Sequence, residues 1–371
     1  MKKLFILALA CAACAGASAQ SIYYQDSANE DMLRHTDYQE TLREEFIIPN
    51  VNGYKVLKSD LHAHTIFSDG SVTPEYRVRE AWVDGLDVLA ITEHIEYRPH
   101  EGVMTSYLKG FFQGEPNKPN GKILSDLNVS NSRAVAAAVG YGITIIPGAE
   151  ITRDQNKIGH YNALFTTDNN AIYDVDPMQA LRNAKKQGAL ITHNHPGWRR
   201  KTCDMTEFEK QAYAEGLIDG VEIMNGVTFY PTSMQRCVDQ KLYMLGCTDS
   251  HAQTNIFRLN GHFRTMTFVF AKELTEKAIR KALEKRMTLA YSAGNIAGDS
   301  KLLQDFFKAS VSHKFLSRGK KGAAVYALTN NTSIGYKIRM GKKLFELPAF
   351  QTITVTIAKD KDGHDNDIEF Y

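Results

Sequence analysis

Asp60-Leu61-His62-Ala63-His64-Thr65-Ile66-Phe67-Ser68-Asp69-Gly70 is the stretch on which the fold of this chain is read. It closes a run, residues 55–61, with the character of a strand, and two histidines two apart on extended backbone point the same way. The same arrangement recurs downstream. The apolar run 86–92 is followed by Glu93-His94, and the run 143–146 by Pro147-Gly148-Ala149-Glu150, with His160 ten residues later. The run 189–192 leads into His193-Asn194-His195-Pro196, and 242–246 into Asp249-Ser250-His251. Between these runs, residues 74–84, 131–139, 177–187, 205–215 and 232–239 read as helices, two of them opening on a proline at the first turn. Short apolar strands alternating with helices of about ten residues indicate α/β architecture with a parallel sheet. In a parallel barrel the C-terminal strand ends open on one face. Residues scattered over the chain can therefore meet in one pocket.

The chain has 371 residues, 43% hydrophobic and 23% charged, a soluble composition that excludes collagen, coiled coil and bulk disorder. Residues 1–19 read as an export signal: Lys2-Lys3, an apolar stretch to Ala15, and an Ala17-Ser18-Ala19 cleavage site before Gln20. The expected location is the periplasm, with lipid anchoring through Cys11 as the second reading. Removing Lys2 and Lys3 leaves 42 basic against 42 acidic residues. Bulk charge thus gives no reason to expect a nucleic-acid partner, and no apolar run is long enough for a transmembrane segment. Residues 20–54 form an N-terminal arm, 55–298 the barrel, and 301–371 a small β-rich C-terminal domain with strands expected at 323–329, 333–340 and 352–357. The segment 102–121 is expected to overhang the site as a loop. Cys203, Cys237 and Cys247 are an odd number without a CxxC pair, so neither a disulfide scaffold nor a thiolate zinc site is indicated.

Imidazole and carboxylate at successive strand ends are the ligands of zinc, manganese or iron. The nine candidates His62, His64, Asp69, His94, Glu150, His160, His195, Asp249 and His251 are too many for one tetrahedral ion. A carboxylate such as Glu150 can bridge two ions, so two or three divalent metal ions are the natural count.

These motifs resemble the four motifs of the PHP family, named for polymerase and histidinol phosphatase, over about residues 55–295. The resemblance implies a distorted (β/α)7 barrel with two or three metal ions that hydrolyses phosphate esters. It implies His62, His64, Glu150 and Asp249 as ligands of a first ion. Glu150, His160 and His195 would hold a second, and Asp69, His94 and His251 a third. Some members carry a histidine one position beyond Asp69, where this chain has Gly70, and Glu93 stands where an aspartate is common. The export signal and β-rich tail resemble the branch of Sb-PDE-type phosphodiesterases.

The expected chemistry is in-line attack of a metal-bridging hydroxide on phosphorus, since coordination brings a water's pKa to roughly 7. Within Arg199-Arg200-Lys201, Arg199 is the expected phosphate clamp, because guanidinium binds phosphate bidentately. His193 is the expected proton donor to the leaving group. Asn225, His100, Tyr107, Phe111, Phe112 and Trp198 are possible substrate contacts. The substrate class expected is a small-molecule phosphodiester. A phosphomonoester, or a carboxyl or carbamate ester on the same metal site, is the alternative, and a metal-binding module without activity is a third class. Oligomeric state has no signal in the sequence.

Overall fold

In the computed structural model, residues 43–101, 126–319, 322–340, 343–357 and 369–370 are described. The export signal with Cys11, the arm up to residue 42 and the 102–121 loop with Tyr107, Phe111 and Phe112 lie outside them.

Strands β1 (Lys55–Asp60), β2 (Val88–Ile91), β3 (Thr144–Thr152), β4 (His160–Leu164), β5 (Leu190–His193), β6 (Gly220–Asn225), β7 (Thr228–Phe229), β8 (Tyr243–Cys247), β9 (Met266–Ala271), β10 (Thr288–Ser292) and β11 (Asn295–Gly298) form one sheet. Its order is β11-β10-β9-β1-β2-β3-β4-β5-β6-β7, with β8 paired to β6. Helices α1 (Pro74–Val83), α2 (Val129–Ala138), α3 (Pro177–Lys186), α4 (Glu207–Ala214), α5 (Pro231–Gln240), α6 (Asn255–Leu259) and α7 (Glu276–Glu284) lie between strands. Their starts are written in the sequence. Thr73 Oγ1 accepts from Tyr76 N ahead of Pro74, Asp176 accepts from Met178 N ahead of Pro177, and Thr206 with Glu209 forms a capping box on α4.

The sheet is the expected α/β barrel sheet, but its strands are of mixed direction. Pairs β1-β2, β2-β3, β5-β6 and β6-β8 are parallel, but β4 runs antiparallel to both β3 and β5, and β9 antiparallel to β1 and β10. The link 153–159 between β3 and β4 is too short for a parallel crossover, which needs a dozen residues or more. The reversal has a functional effect: the first residue of β4, His160, lies at the same end of the sheet as the last residues of its parallel neighbours.

The sheet curls until β8 meets β9 and β10. That seam is fastened by hydroxyls: Gly246 N donates to Thr267 Oγ1 at 2.9 Å, Thr267 Oγ1 donates to Gly246 O at 2.9 Å, and Met244 N donates to Thr288 Oγ1 at 3.3 Å. Leu57, Val88, Ala90, Ile146, Leu164, Leu190, Leu245 and Val269 join Ile279 and Leu283 of α7 in one buried cluster. Burying each of the larger of these side chains contributes roughly 1.5–3 kcal/mol.

After β11 comes α8 (Ser300–Ser310), capped by Asp299, which the sequence reading missed in treating 301–371 as β-rich throughout. Its Phe306 stacks on Phe268 of β9 with centroids 5.6 Å apart. Strands β12 (Val311–Arg318), β13 (Ala324–Asn330), β14 (Tyr336–Met340), β15 (Lys343–Leu347), β16 (Thr352–Ile357) and β17 (Glu369–Phe370) make two antiparallel sheets, β12-β13-β16 and β15-β14-β17. They share a cluster of Phe307, Leu328, Ile338, Leu347 and Val355. Strand β12 escaped the sequence reading because nearly all of its side chains are exposed, so no apolar alternation marks it. Cys203, Cys237 and Cys247 are all free. No helix among the described residues is long and apolar enough to cross a membrane.

Candidate metal centre

The strand ends bring the nine sequence candidates to one place, in three adjoining groups: His62, His64 and Asp249; Glu150, His160 and His195; and His64, Asp69, His94 and His251. In the first, His62 Nε2 and His64 Nε2 are 3.0 Å apart, and each is 3.2 Å from Asp249 Oδ1. In the second, Glu150 Oε1 lies 3.4 Å from His160 Nδ1 and 3.7 Å from His195 Nε2. In the third, Asp69 Oδ1 lies 3.3 Å from His94 Nε2 and 3.1 Å from His251 Nε2. Glu150 is the hub. It also sits 3.5 Å from His62 Nε2, 3.9 Å from His64 Nε2 and in contact with His94 Nδ1. The His64 ring packs against those of His94 and His251, with centroids 4.2 and 4.3 Å away.

Two of these residues reach the cluster through left-handed backbone, His195 at φ 26° and Asp249 at φ 54°. For residues other than glycine this conformation costs on the order of 1–3 kcal/mol and is found at functional sites. It also decides which of two neighbouring histidines enters. Strand β5 ends at His193, whose ring packs on Tyr161 with Nδ1 3.0 Å from Tyr213 Oη and Nε2 3.2 Å from Glu209. Asn194 turns inward and donates to Glu150 Oε1 at 2.8 Å, and the twist at His195 then swings the next imidazole inward too. The expectation for His193 is therefore corrected: it is buried on the far side of β5 from the cluster, with burial and the nearby Arg236 and Arg200 pushing its pKa down.

Arg199 is exposed at the rim, its guanidinium 4.3 Å over the Trp198 ring, and Trp198 lies 5.7 Å from the His160 ring and 5.4 Å from that of His195. Its neighbour Arg200 is committed elsewhere, donating to Gln155 O and Glu209 Oε1 at 2.6 Å each. Asn225 is turned to Glu222 rather than outward. Tyr97 stands half exposed with its ring 5.9 Å from that of His94.

The chemistry of the donor set fits metal ions. His251 Nδ1 is 2.8 Å from the Asp249 carbonyl, which can only accept, so Nδ1 carries a proton and Nε2 is the ring atom turned to Asp69 Oδ1. That oxygen is buried and has no hydrogen-bond partner among the described residues. His62 Nδ1 likewise faces the Glu222 carboxylate at 2.6 Å, leaving Nε2 opposite His64 Nε2 and Asp249 Oδ1. Nitrogens and carboxylate oxygens that converge in this way can share a cation in place of protons. In the metal-free fold, protons take that place. Burial alone would lower His62, yet Asp249, Glu222 and Glu150 hold it up at about 10. Burial, reinforced by His94 and His251, pushes His64 down to about 3. Burial would raise Glu150 as well, but His94, His160 and His62 hold its carboxyl well below the usual range.

Beneath the ligands lies a layer that sequence reasoning left unassigned. Glu222 touches His62. Glu93, buried, accepts from Thr65 N at 3.2 Å and from the Thr65 and Ser68 hydroxyls, holding the loop between His64 and Asp69. Asp60 accepts from Thr248 N at 3.1 Å and from Arg264 Nη2 at 2.6 Å, and Arg264 reaches Asp84 at 3.2 Å. Arg77 donates to the carbonyls of His64 and Ser250 at 2.9 and 3.0 Å. A buried charge inside an otherwise apolar strand, as in Gly220-Val221-Glu222-Ile223, was the signal available for Glu222.

A curled α/β barrel whose strand ends pool imidazoles and carboxylates defines a metal-dependent barrel protein. Comparison with known proteins narrows that class. The PHP domain model matches residues 60–366. A crystal structure of a two-domain protein from Bacteroides vulgatus ATCC 8482, containing a predicted PHP-like metal-dependent phosphoesterase, is 35% identical with a TM-score of 0.76. It matches over 86% of this chain and 90% of that one. Endonuclease Q, in complex with a 27-mer duplex substrate carrying an abasic lesion at the active site, is 16% identical with a TM-score of 0.40. That match covers 62% of this chain and 57% of the other. No curated protein sequence matches. The chain belongs to the PHP family, whose members include metal-dependent phosphoesterases.

Proposed function

We propose that this chain is an exported, metal-dependent phosphodiesterase acting on small organic phosphodiesters. The observation that carries the hydrolytic reading is the place of Glu150, a member of one donor group that also lies 3.5 Å from His62 of the first and against His94 of the third, so that two or three divalent ions could sit side by side. Zinc, manganese and iron all suit these ligands. Ions bound there would supply positive charge for a phosphoryl group and a water that ionises near neutral pH. The chain's own residues do the rest. His62, His64, Asp249, Glu150, His160, His195, Asp69, His94 and His251 hold the ions, and Arg199, stacked on Trp198, meets a non-bridging oxygen at the rim.

The diester preference rests on the rim. Arg153, Arg98 and Arg200 are each paired with an acid, leaving Arg199 as a cation with no ion pair among the described residues. A diester carries one charge where a monoester dianion carries two, so it needs less cationic compensation. Tyr97 and Trp198 offer ring faces for an ester's organic groups. Export rests on the 1–19 signal alone.

Purified protein loaded with manganese or zinc would be assayed on bis(p-nitrophenyl) phosphate, p-nitrophenyl phosphate and p-nitrophenyl acetate, beside Glu150→Ala. Diester turnover at least tenfold faster than monoester turnover, and lost in the variant, is the expected result. Monoester preference would move the assignment to a phosphomonoesterase. Turnover of the acetate alone would end the phosphorus reading.

A further inference from the structure

Glu222 is fully buried in the middle of β6, and its two oxygens serve two different donor groups. Oε1 takes the His62 ring at 2.6 Å, in the first group. Oε2 accepts from the backbone N of His195, in the second group, and from Asn225 Nδ2, both at 2.9 Å. The pairing of β6 with β8 slips at Glu222/Met224, an irregularity of the kind that re-aims side chains beside active sites.

All three partners are donors. A backbone N–H can only donate, Asn225 presents Nδ2, and His62 has its other nitrogen turned to Asp249. Only a carboxylate offers acceptors on both ends. A glutamine of the same shape has one oxygen and one NH2, so it must either abandon the His195 amide or face His62 with a donor. Facing a donor, His62 would have to move its proton to Nε2, the atom aimed at the first group.

We propose that Glu222 is a positioning residue that couples the two deep ion sites, so that filling one orients the ligands of the other. This rests on the reading of the cluster as a metal centre, and it adds that the first and second groups load together. An ion on His195 fixes the Pro196 turn and with it the His195 amide. The amide holds Glu222 Oε2, and Oε1 then locks His62 in the tautomer whose Nε2 is free to ligate. The same chain of contacts runs backwards, as linkage requires.

The test needs no substrate. Metal-free protein, full chain, would be titrated with Co2+ and followed by its visible absorption and by calorimetry, for wild type and Glu222→Gln. Wild type is expected to fill the two deep groups in one steep step. The variant should fill them in two separate steps, with affinity at the first group lower by about 10–100-fold, the usual effect of losing a ligand's hydrogen-bonded support. A double-mutant cycle guards against a general loss of structure: His160→Ala should weaken the first group in the wild-type background and add nothing in the Glu222→Gln background. Asn225→Ala, which leaves both coupled contacts intact, should load as wild type does. Single-step loading by Glu222→Gln, weakened or not, would overturn the proposal, as would additive behaviour of the cycle or wild type taking up no ion. Joint loading in a protein that hydrolyses none of the phosphate esters would leave the coupling standing and remove the phosphoesterase reading.

Discussion

The deep donor groups and the outer one use the same residue types and share His64, yet they are built differently. His62, His64 and Glu150 are fully buried, and each is held from behind: His62 by Glu222, His64 by Ser68 Oγ at 3.3 Å, and Glu150 by Asn194 and by Thr152 Oγ1 at 3.0 Å. In the outer group the His251 side chain is 38% exposed, against 20% for Asp249, the most open side chain of the deep groups. Its support is the Asp249 carbonyl behind His251 and Thr152 Oγ1, 2.6 Å from His94 Nδ1. Low dielectric and fixed partners favour a permanently held ion, whereas exposure permits exchange with solvent. The contrast predicts tighter retention of an ion by the deep groups than by the outer one.

The hardest blow to this comparison is Glu150→Ala, which touches all three groups. Ester hydrolysis should fall by roughly a thousandfold or more, as losing several kcal/mol of charge stabilisation implies, and elemental analysis should find fewer ions per chain. An equal ion count would erase the hub role.

Next comes the buried support. Arg264→Met strips Asp60 of its guanidinium, leaves Asp84 only Arg258, and should destabilise the fold by about 3–5 kcal/mol, the usual result of orphaning one side of a buried ion pair. Urea unfolding of both proteins, metal-loaded, would measure it. Loss of less than about 1 kcal/mol would mean that water reaches Asp60.

pH sharpens the contrast between loaded and metal-free protein. His62, held up at about 10 in the metal-free fold, adds stability that is complete below its unfolded value of 6.5 and is lost as pH rises through 10. Glu150 and Asp249, held low, add stability that is present above the ordinary carboxylate range and lost as pH falls through their folded values. Ions displace the His62 proton, so ion affinity should climb between pH 6.5 and 10 while the melting temperature of metal-free protein declines. A flat affinity profile would show that His62 holds no proton to release.

The smallest effect concerns the outer group. His251→Ala should cost about tenfold in activity and leave the ions of the deep groups in place during dialysis against a weak chelator. Loss of all ions at one rate would collapse the distinction.

Much of this was legible in sequence because it depends on spacing along strands. Asp60-Leu61-His62-Ala63-His64 and Asp249-Ser250-His251 follow apolar runs, and the face on which they meet follows from the barrel. Two things were not. The reversal of β4 depends on the shortness of 153–159 rather than on any residue in the strand itself. The exclusion of His193 turns on the φ of His195, and no periodicity encodes a left-handed histidine. Glu222 was passed over because a strand's alternation says which face a residue takes, not that the far end of its side chain will meet a ring from the segment after β1 and an amide from the loop after β5.

The left-handed conformations of His195 and Asp249 set the comfort of the local chain against the donor set. Glycine at either position would relax the backbone, but it would also remove a ligand atom and the ion pairs that side chain makes in the metal-free fold. The strain is therefore held in place by the side chains it positions, and a turn relaxed by drift would open the centre while leaving the barrel intact.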